Sequence, residues 1–261
     1  MTTMIAKHSA GLGPLLAKEN RKWWGTRRWW VQMLLWLGIL NGLLAVVLFV
    51  LPTLTTPDGE PIMTESPLDA GVGIYFGLGA LALALAAPIL MQDEVIGEKE
   101  SGTADWILSK PVARSAFILA KAAAHSLGMA LLMVMIPTLG AYLLFGLALP
   151  GGVEPGHFAL AAGLMLLHTL FYAMLALLLG VVVSNRGLVL GIAIGFFFAG
   201  QFAAGFVPAL DAVTPWLLPK IAVPVALGAP LAGWMLPPVV ATAAWIGVFI
   251  VAALRRFARA E

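Results

Sequence analysis

Between Asp93 and Lys121 the chain reads DEVIGEKESGTADWILSKPVARSAFILAK, a charged island between two long apolar runs. Its ionisable side chains are carboxylates, ammonium groups and guanidinium groups, a set suited to ion pairing and to holding a soluble partner. Cys is absent, so no disulfide or thiolate–metal site exists in the chain. The four histidines, His8, His125, His157 and His168, are isolated from one another in sequence. No metal set is expected from them, since His157 and Glu154 would need further ligands. No G-x-x-x-x-G-K-[ST] run occurs, so the chain has no phosphate cradle. It is therefore expected to have no catalytic residues, to be no enzyme by itself and to carry no cofactor of its own.

The elements that position this charged run are apolar. The chain is 61% hydrophobic and 11% charged, with a mean hydropathy of +0.97. Soluble domains run near 25% charged, so the natural solvent of most of this chain is lipid. Six stretches approach the ~20 apolar residues that cross a bilayer: Trp29–Leu51, Ala70–Met91, Ala122–Leu149, Phe158–Val183, Leu188–Val207 and Pro238–Leu254. They lack strand alternation, and a backbone in lipid must satisfy its own hydrogen bonds, so they read as helices. The expected fold is an all-α integral membrane domain over 1–261 with six transmembrane helices. A cytosolic arm and interfacial helix (1–28), a cytosolic loop (93–121) and an outer segment (208–238) complete it.

Basic residues set the orientation. Fourteen of the fifteen Lys and Arg residues fall on one side of a six-span layout, and Lys220 alone falls on the other. The positive-inside rule then puts both termini in the cytoplasm of a multi-pass protein. The basic residues flank spans, which fits a bilayer surface and not nucleic acid. The first apolar run is longer than a signal-peptide core and lacks a following A-x-A-like site, so it reads as a retained span.

Leu12 to Trp30 reads as an amphipathic helix on the membrane surface. Leu12, Leu15, Leu16, Trp23 and Trp30 share one face, and Lys18, Arg21, Lys22 and Arg28 the other. Glu19 points toward the apolar face, either paired with Lys22 or Arg27 or reserved for a docking partner. In the charged run, Asp93–Glu100 continues span two into water, Gly102 ends it, and Thr103 caps a short helix carrying Trp106, Ile107 and Leu108. Pro111 stops that helix and span three begins near Ala116. Apolar teeth in such a loop need a partner to cover them.

No Asp or Glu falls inside the six apolar stretches, which disfavours an ion-driven carrier. Asn41, His168 and Gln201 are polar groups at depth, for an interhelical hydrogen bond or a cargo contact. His125 reads as interfacial. Small residues at Gly73, Gly77, Gly191 and Gly195 allow close helix approach, within one chain or across a dimer seam. Seven prolines between Pro208 and Pro238 rule out one continuous helix there, so short broken helices dipping into the outer leaflet are expected.

The run Glu98, Gly102, Thr103, Leu108, Ser109, Pro111, Arg114 and Lys121 resembles the signature of ABC-2 type transporter permeases. The six-span layout extends the resemblance over essentially the whole chain. Ala104, Trp106 and Ala113 depart from the usual residue types. The resemblance implies the membrane subunit of an ABC exporter in a prokaryotic inner membrane, acting as a homodimer or related heterodimer. Two copies of a separate ATPase would bind ATP and Mg. It assigns coupling to Glu98, Lys99, Gly102, Thr103, Trp106, Leu108, Pro111 and Arg114. It assigns docking to the interfacial helix, with Leu16, Glu19, Trp23 and Arg27, and a pathway or seam to the two glycine pairs and Gln201. The cargo expected from the apolar spans is amphipathic or lipid-like. The alternative is a membrane scaffold that anchors such an ATPase without transporting.

Overall fold

The computed structural model describes residues 10–203 and 206–259, with the backbone alone at Pro208. Lys7, His8 and Gly205 lie outside the described residues. The chain is almost wholly helical, with six helices long and apolar enough to cross a membrane. In order these are α2 (Arg28–Thr53), α3 (Pro67–Glu100), α5 (Arg114–Ala148), α6 (Pro155–Val182), α7 (Arg186–Ala203) and α10 (Leu236–Arg259, entered through a 3₁₀ turn at Gly233–Met235). Around them lie α1 (Leu12–Trp24), α4 (Thr103–Leu108), α8 (Pro208–Val213) and α9 (Leu218–Ala226).

Local chemistry explains the boundaries. Thr26 accepts the Arg28 N–H at the start of α2. Ser66 accepts the Asp69 N–H ahead of Pro67, and Glu154 accepts the Gly156 and His157 N–H groups ahead of Pro155. In each of the last two, a side-chain acceptor followed by Pro meets the donors that a helix start leaves open. Gly102, at φ +70°, makes the left-handed joint between α3 and α4. Gly102 is therefore the cap residue, and Thr103 opens the helix where the sequence suggested it as the cap.

One boundary differs from the sequence reading, and the continuation of span two through Asp93–Glu100 agrees with it. The N-terminal helix stops at Trp24: Gly25 makes the last helical bond to the Arg21 carbonyl but leaves helical geometry at ψ 2°, and the Thr26 hydroxyl donates to the Lys22 carbonyl at 2.7 Å. Trp29 and Trp30 belong to α2. Span two runs unbroken for 34 residues from Pro67 to Glu100, about 50 Å at 1.5 Å per residue. That exceeds the ~30 Å hydrocarbon core, so α3 carries its final turns past it.

α3 and α6 form the central pair, and α7, α9 and α10 pack around them. Phe76, Phe145 and Phe158 interlock edge to face at one level, and Phe171, Tyr172 and Phe197 continue the aromatic core. α2 and α5 contain widened π turns at Leu37–Asn41, Val46–Val50 and Ala130–Met135. Asn41 sits in the first of these, buried against Gly140 of α5, where any side chain would strike its amide. Between α7 and α10 the proline-rich segment breaks into α8, a 3₁₀ turn at Pro215–Leu217, and α9.

Candidate functional site

The far end of α3 meets α1, the start of α5 and the end of α10. Phe117 stacks on Phe257 at 5.1 Å, and Arg114 Nη1 reaches the Ala258 carbonyl at 3.4 Å. At this end the ionisable residues of three helices converge. Glu94 and Glu98 share one face of α3, four residues apart. Lys121 and His125 share one face of α5, and Glu19 and Trp23 one face of α1.

One carboxylate oxygen organises the centre. Glu98 Oε1 accepts from Lys18 Nζ at 2.8 Å, Lys22 Nζ at 2.9 Å and Lys121 Nζ at 2.8 Å. Glu19 Oε1 faces Lys121 at 3.1 Å and Lys18 at 3.3 Å, while its Oε2 faces Lys22 at 2.9 Å. Glu94 takes Lys22 and Arg28 at 2.9 and 3.2 Å. Arg28 also covers the Trp23 ring at 4.2 Å. Glu19, Lys121 and His125 are buried. Burial by itself would raise the Glu19 pKa. The facing His125 ring and the charges of Lys121 and Lys22 outweigh it and hold the carboxyl far below the usual range. Lys22 is held above its ordinary value by the same balance: burial opposes its charge, and Glu94 and Glu19 more than restore it.

The expectation that this charged run lies in water is corrected for Glu98 and Lys121, while Asp93, Lys99, Glu100, Asp105, Lys110 and Arg114 are exposed. Lys121 has no exposed surface and Glu98 retains 9%, because α1 lies over both. A buried ammonium persists only when paired, and here it is paired twice. His125, expected near the membrane interface, is covered by protein. It is fully buried between Trp23 and Glu94. The apolar face of α1 also differs from expectation: Leu15 and Trp23 are buried against α5 and not in headgroups. Trp23 fits because residue 128 is Gly; a Cβ there would lie 2.5 Å from the ring. Glu19 takes the paired role, with Lys22, Lys18 and Lys121. Arg27 is exposed.

A second tie joins α1 to the charged loop. Ala113 donates its N–H to the Ala10 carbonyl at 2.9 Å. Gly11, at φ +80°, lies so close to Val112 that a Cβ would sit 2.8 Å from its methyl carbon. The loop itself divides into inward and outward residues. Ala104 and Ile107 of α4 are buried, and Leu108 packs partly on the core. Trp106 projects, 63% exposed, with Lys110 Nζ 3.5 Å over its ring. Lys99 turns to the Val181 carbonyl at 3.1 Å, and Leu16 packs partly against the core. Pro111 is exposed just beyond the end of α4.

Glu19, Glu94 and His125 offer ligand atoms within 4.8 Å of one another, a spacing that a metal could use. Two features fit the set poorly to a cation. The Trp23 indole donates to His125 Nδ1 at 3.0 Å, so the neutral ring carries its proton on Nε2, the atom facing the carboxylates. The carboxylates already face Lys18, Lys22, Lys121 and Arg28.

The glycine pairs lie elsewhere. A Cβ at Gly73, Gly77, Gly191 or Gly195 would meet nothing within 4 Å, so packing inside one chain does not use them. His168 takes the interhelical role, with Nδ1 3.3 Å from the Pro215 carbonyl. Gln201 lines a cavity beside it.

An α-helical membrane domain with a charged joint between its second and third spans defines a class of permease. A family model described as ABC-2 family transporter protein matches residues 14–261, and the chain belongs to that family. It is a membrane permease component of an ABC transporter. No curated relative matches the chain. Sequence reasoning did not bring Glu94, Lys121, His125, Lys18 and Lys22 together, although four-residue spacing on three helices was available as the signal.

Proposed function

We propose that the protein is the transmembrane half of an ABC exporter, driven by two copies of a separate ATPase that bind ATP and Mg. Both termini lie in the cytoplasm of a prokaryotic inner membrane. The observation that carries the mechanism is the bracing of α1, α3 and α5 by one buried ion network. A partner that pushes on α4 meets Trp106 and Lys110 on the outside, while Ala104 and Ile107 transmit the push to α3. The Glu98–Lys121 contact carries it to α5, and Glu19 and the Val112–Gly11 contact carry it to α1. The three helices then tilt as one lever and open a path between two permease copies. The uncovered glycines on α3 and α7 support a seam there for a second copy, with α8 and α9 dipping into the outer leaflet over the exit. In this reading Glu98 and Glu19 transmit force, and the ATPase touches Trp106, Lys110 and the exposed side of the loop.

The test is co-purification of the tagged protein with its ATPase from native membranes in mild detergent. Trp106→Ala should release the ATPase and abolish cargo-stimulated ATP hydrolysis, with the protein still monodisperse. Unchanged recovery and rate would remove α4 from the coupling path.

A further inference from the structure

Lys220 stands alone. It lies at the end of the bundle opposite α1, where the sequence places no other Lys or Arg. It is exposed and has no ion-pair partner among the described residues. It borders a cavity of about 390 Å³ between α3, α7 and α9. Leu81, Phe197 and the Trp216 ring supply apolar wall, Gln201 supplies an amide, and no carboxylate lines the space.

A second observation points to a ligand. His168 is 1% exposed and lines the same cavity. Its Nδ1 faces the Pro215 carbonyl, which can only accept, so the ring proton sits on Nδ1. Nε2 makes no hydrogen bond of good geometry among the described residues, with the Ala80 carbonyl also against the ring. Leaving a buried polar atom poorly paired is costly, and a bound hydroxyl would satisfy it. The cavity therefore offers a cation and an amide N–H at Lys220 and Gln201, an acceptor at His168, and apolar wall beside them.

We propose that this cavity takes an anionic amphiphile whose headgroup also carries a hydroxyl. Its anionic oxygens rest on Lys220 and Gln201, its hydroxyl donates to His168 Nε2, and its chain lies along Leu81 and Phe197. The role of this ligand as cargo rests on the exporter reading above; the binding itself does not. A cationic amphiphile is rejected because it would face Lys220 with no carboxylate to offset it.

The experiment is photo-crosslinking on the full chain in phosphatidylcholine nanodiscs, without ATPase. A diazirine-bearing 3-hydroxydodecanoate is mapped by mass spectrometry to residues 215–223, and unlabelled amphiphiles compete. Unlabelled 3-hydroxydodecanoate should compete about tenfold or more better than dodecyltrimethylammonium, as expected for one charge-assisted hydrogen bond. Lys220→Gln should remove that preference and Lys220→Arg retain it; Lys220 is exposed, so both variants fold. His168→Phe should erase the preference for 3-hydroxydodecanoate over dodecanoate while leaving the charge preference. Lysophosphatidylglycerol presents the same head chemistry. Stronger competition by it names a membrane phospholipid as the source, and stronger competition by the hydroxy acid names a free acid. Equal competition by the cation, or labelling indifferent to Lys220→Gln, overturns the proposal. Selective binding with no co-purifying ATPase would instead sink the exporter reading and leave this site standing.

Discussion

Trp23 Nε1 donates to His125 Nδ1 across 3.0 Å, and this bond decides where the His125 proton resides. An indole N–H cannot accept, so Nδ1 must be bare and Nε2 must carry the hydrogen toward Glu94, 3.1 Å away. Nitrogen-15 NMR of the labelled protein should show Nδ1 unprotonated and accepting from the indole. Trp23→Phe removes the donor, and the tautomer signal should then broaden or shift. A wild-type spectrum with a protonated Nδ1 would contradict the arrangement.

Lys121 is the least replaceable charge. Removing one partner from a buried ion pair costs about 3–5 kcal/mol, because the remaining charges stay buried without it. Lys121→Met should loosen α1, seen as faster amide exchange over residues 12–24, and lower the unfolding temperature. Because Glu19 and Glu98 share this ammonium, Glu19→Gln should recover part of the loss in the double variant. Strict additivity of the two changes would mean that they do not share a network.

Gly128 is a packing requirement. A methyl there would sit 2.5 Å from the fully buried Trp23 ring. Gly128→Ala should destabilise α1 docking by about 1–3 kcal/mol and quench or red-shift Trp23 fluorescence as the ring moves toward water. The double variant Gly128→Ala with Trp23→Leu should recover much of the stability. No rescue would place the defect outside this contact.

The pH response follows from Glu19. Its folded pKa is lowered, so its contribution is complete above the ordinary carboxylate value near 4.5 and declines as pH falls from there toward the folded value. Lys22 acts with the opposite sign: its folded pKa is raised, so its contribution is complete below the ordinary lysine value and fades only as pH rises beyond it. Exchange protection of α1 should therefore be flat from pH 6 to 8 and fall below about pH 4.5, and Glu19→Gln should flatten that fall. An equal acid response in wild type and variant would remove Glu19 as its cause.

The uncovered glycines predict a disruption of assembly without a loss of fold. Gly73→Ala or Gly191→Ala should fit the single chain, since an added Cβ meets nothing within 4 Å, and should reduce the dimer fraction in crosslinking within membranes. Intact dimers in both variants would move the seam elsewhere.

The spans were legible because apolar runs such as Phe158–Val183 admit only one solvent. The left-handed joint at Gly102 and the broken helices after Pro208 were legible because Gly and Pro punctuate the backbone locally. The ion network was not. Charge in a sequence announces cost and not cover, and the side chains that cover Lys121 and Glu98 lie 102 and 80 residues away. The continuation of α3 through Asp93–Glu100 was legible, but the cover over Glu98 was not, since hydropathy cannot distinguish a charged turn in water from one beneath another helix. The open faces at Gly73 and Gly195 were equally silent, because small-residue spacing is the same for a neighbour in the chain and one outside it.

The distance in sequence between Glu19 and Lys121 imposes an order on synthesis. α1 emerges before either α3 or α5, and 102 residues separate Glu19 from its buried counter-ion. At about 5–20 residues per second, α1 waits about 5–20 s with Lys18 and Lys22 as the only network cations within its own sequence. The burial of Leu15 and Trp23 of α1 therefore cannot be completed until α5 has been made.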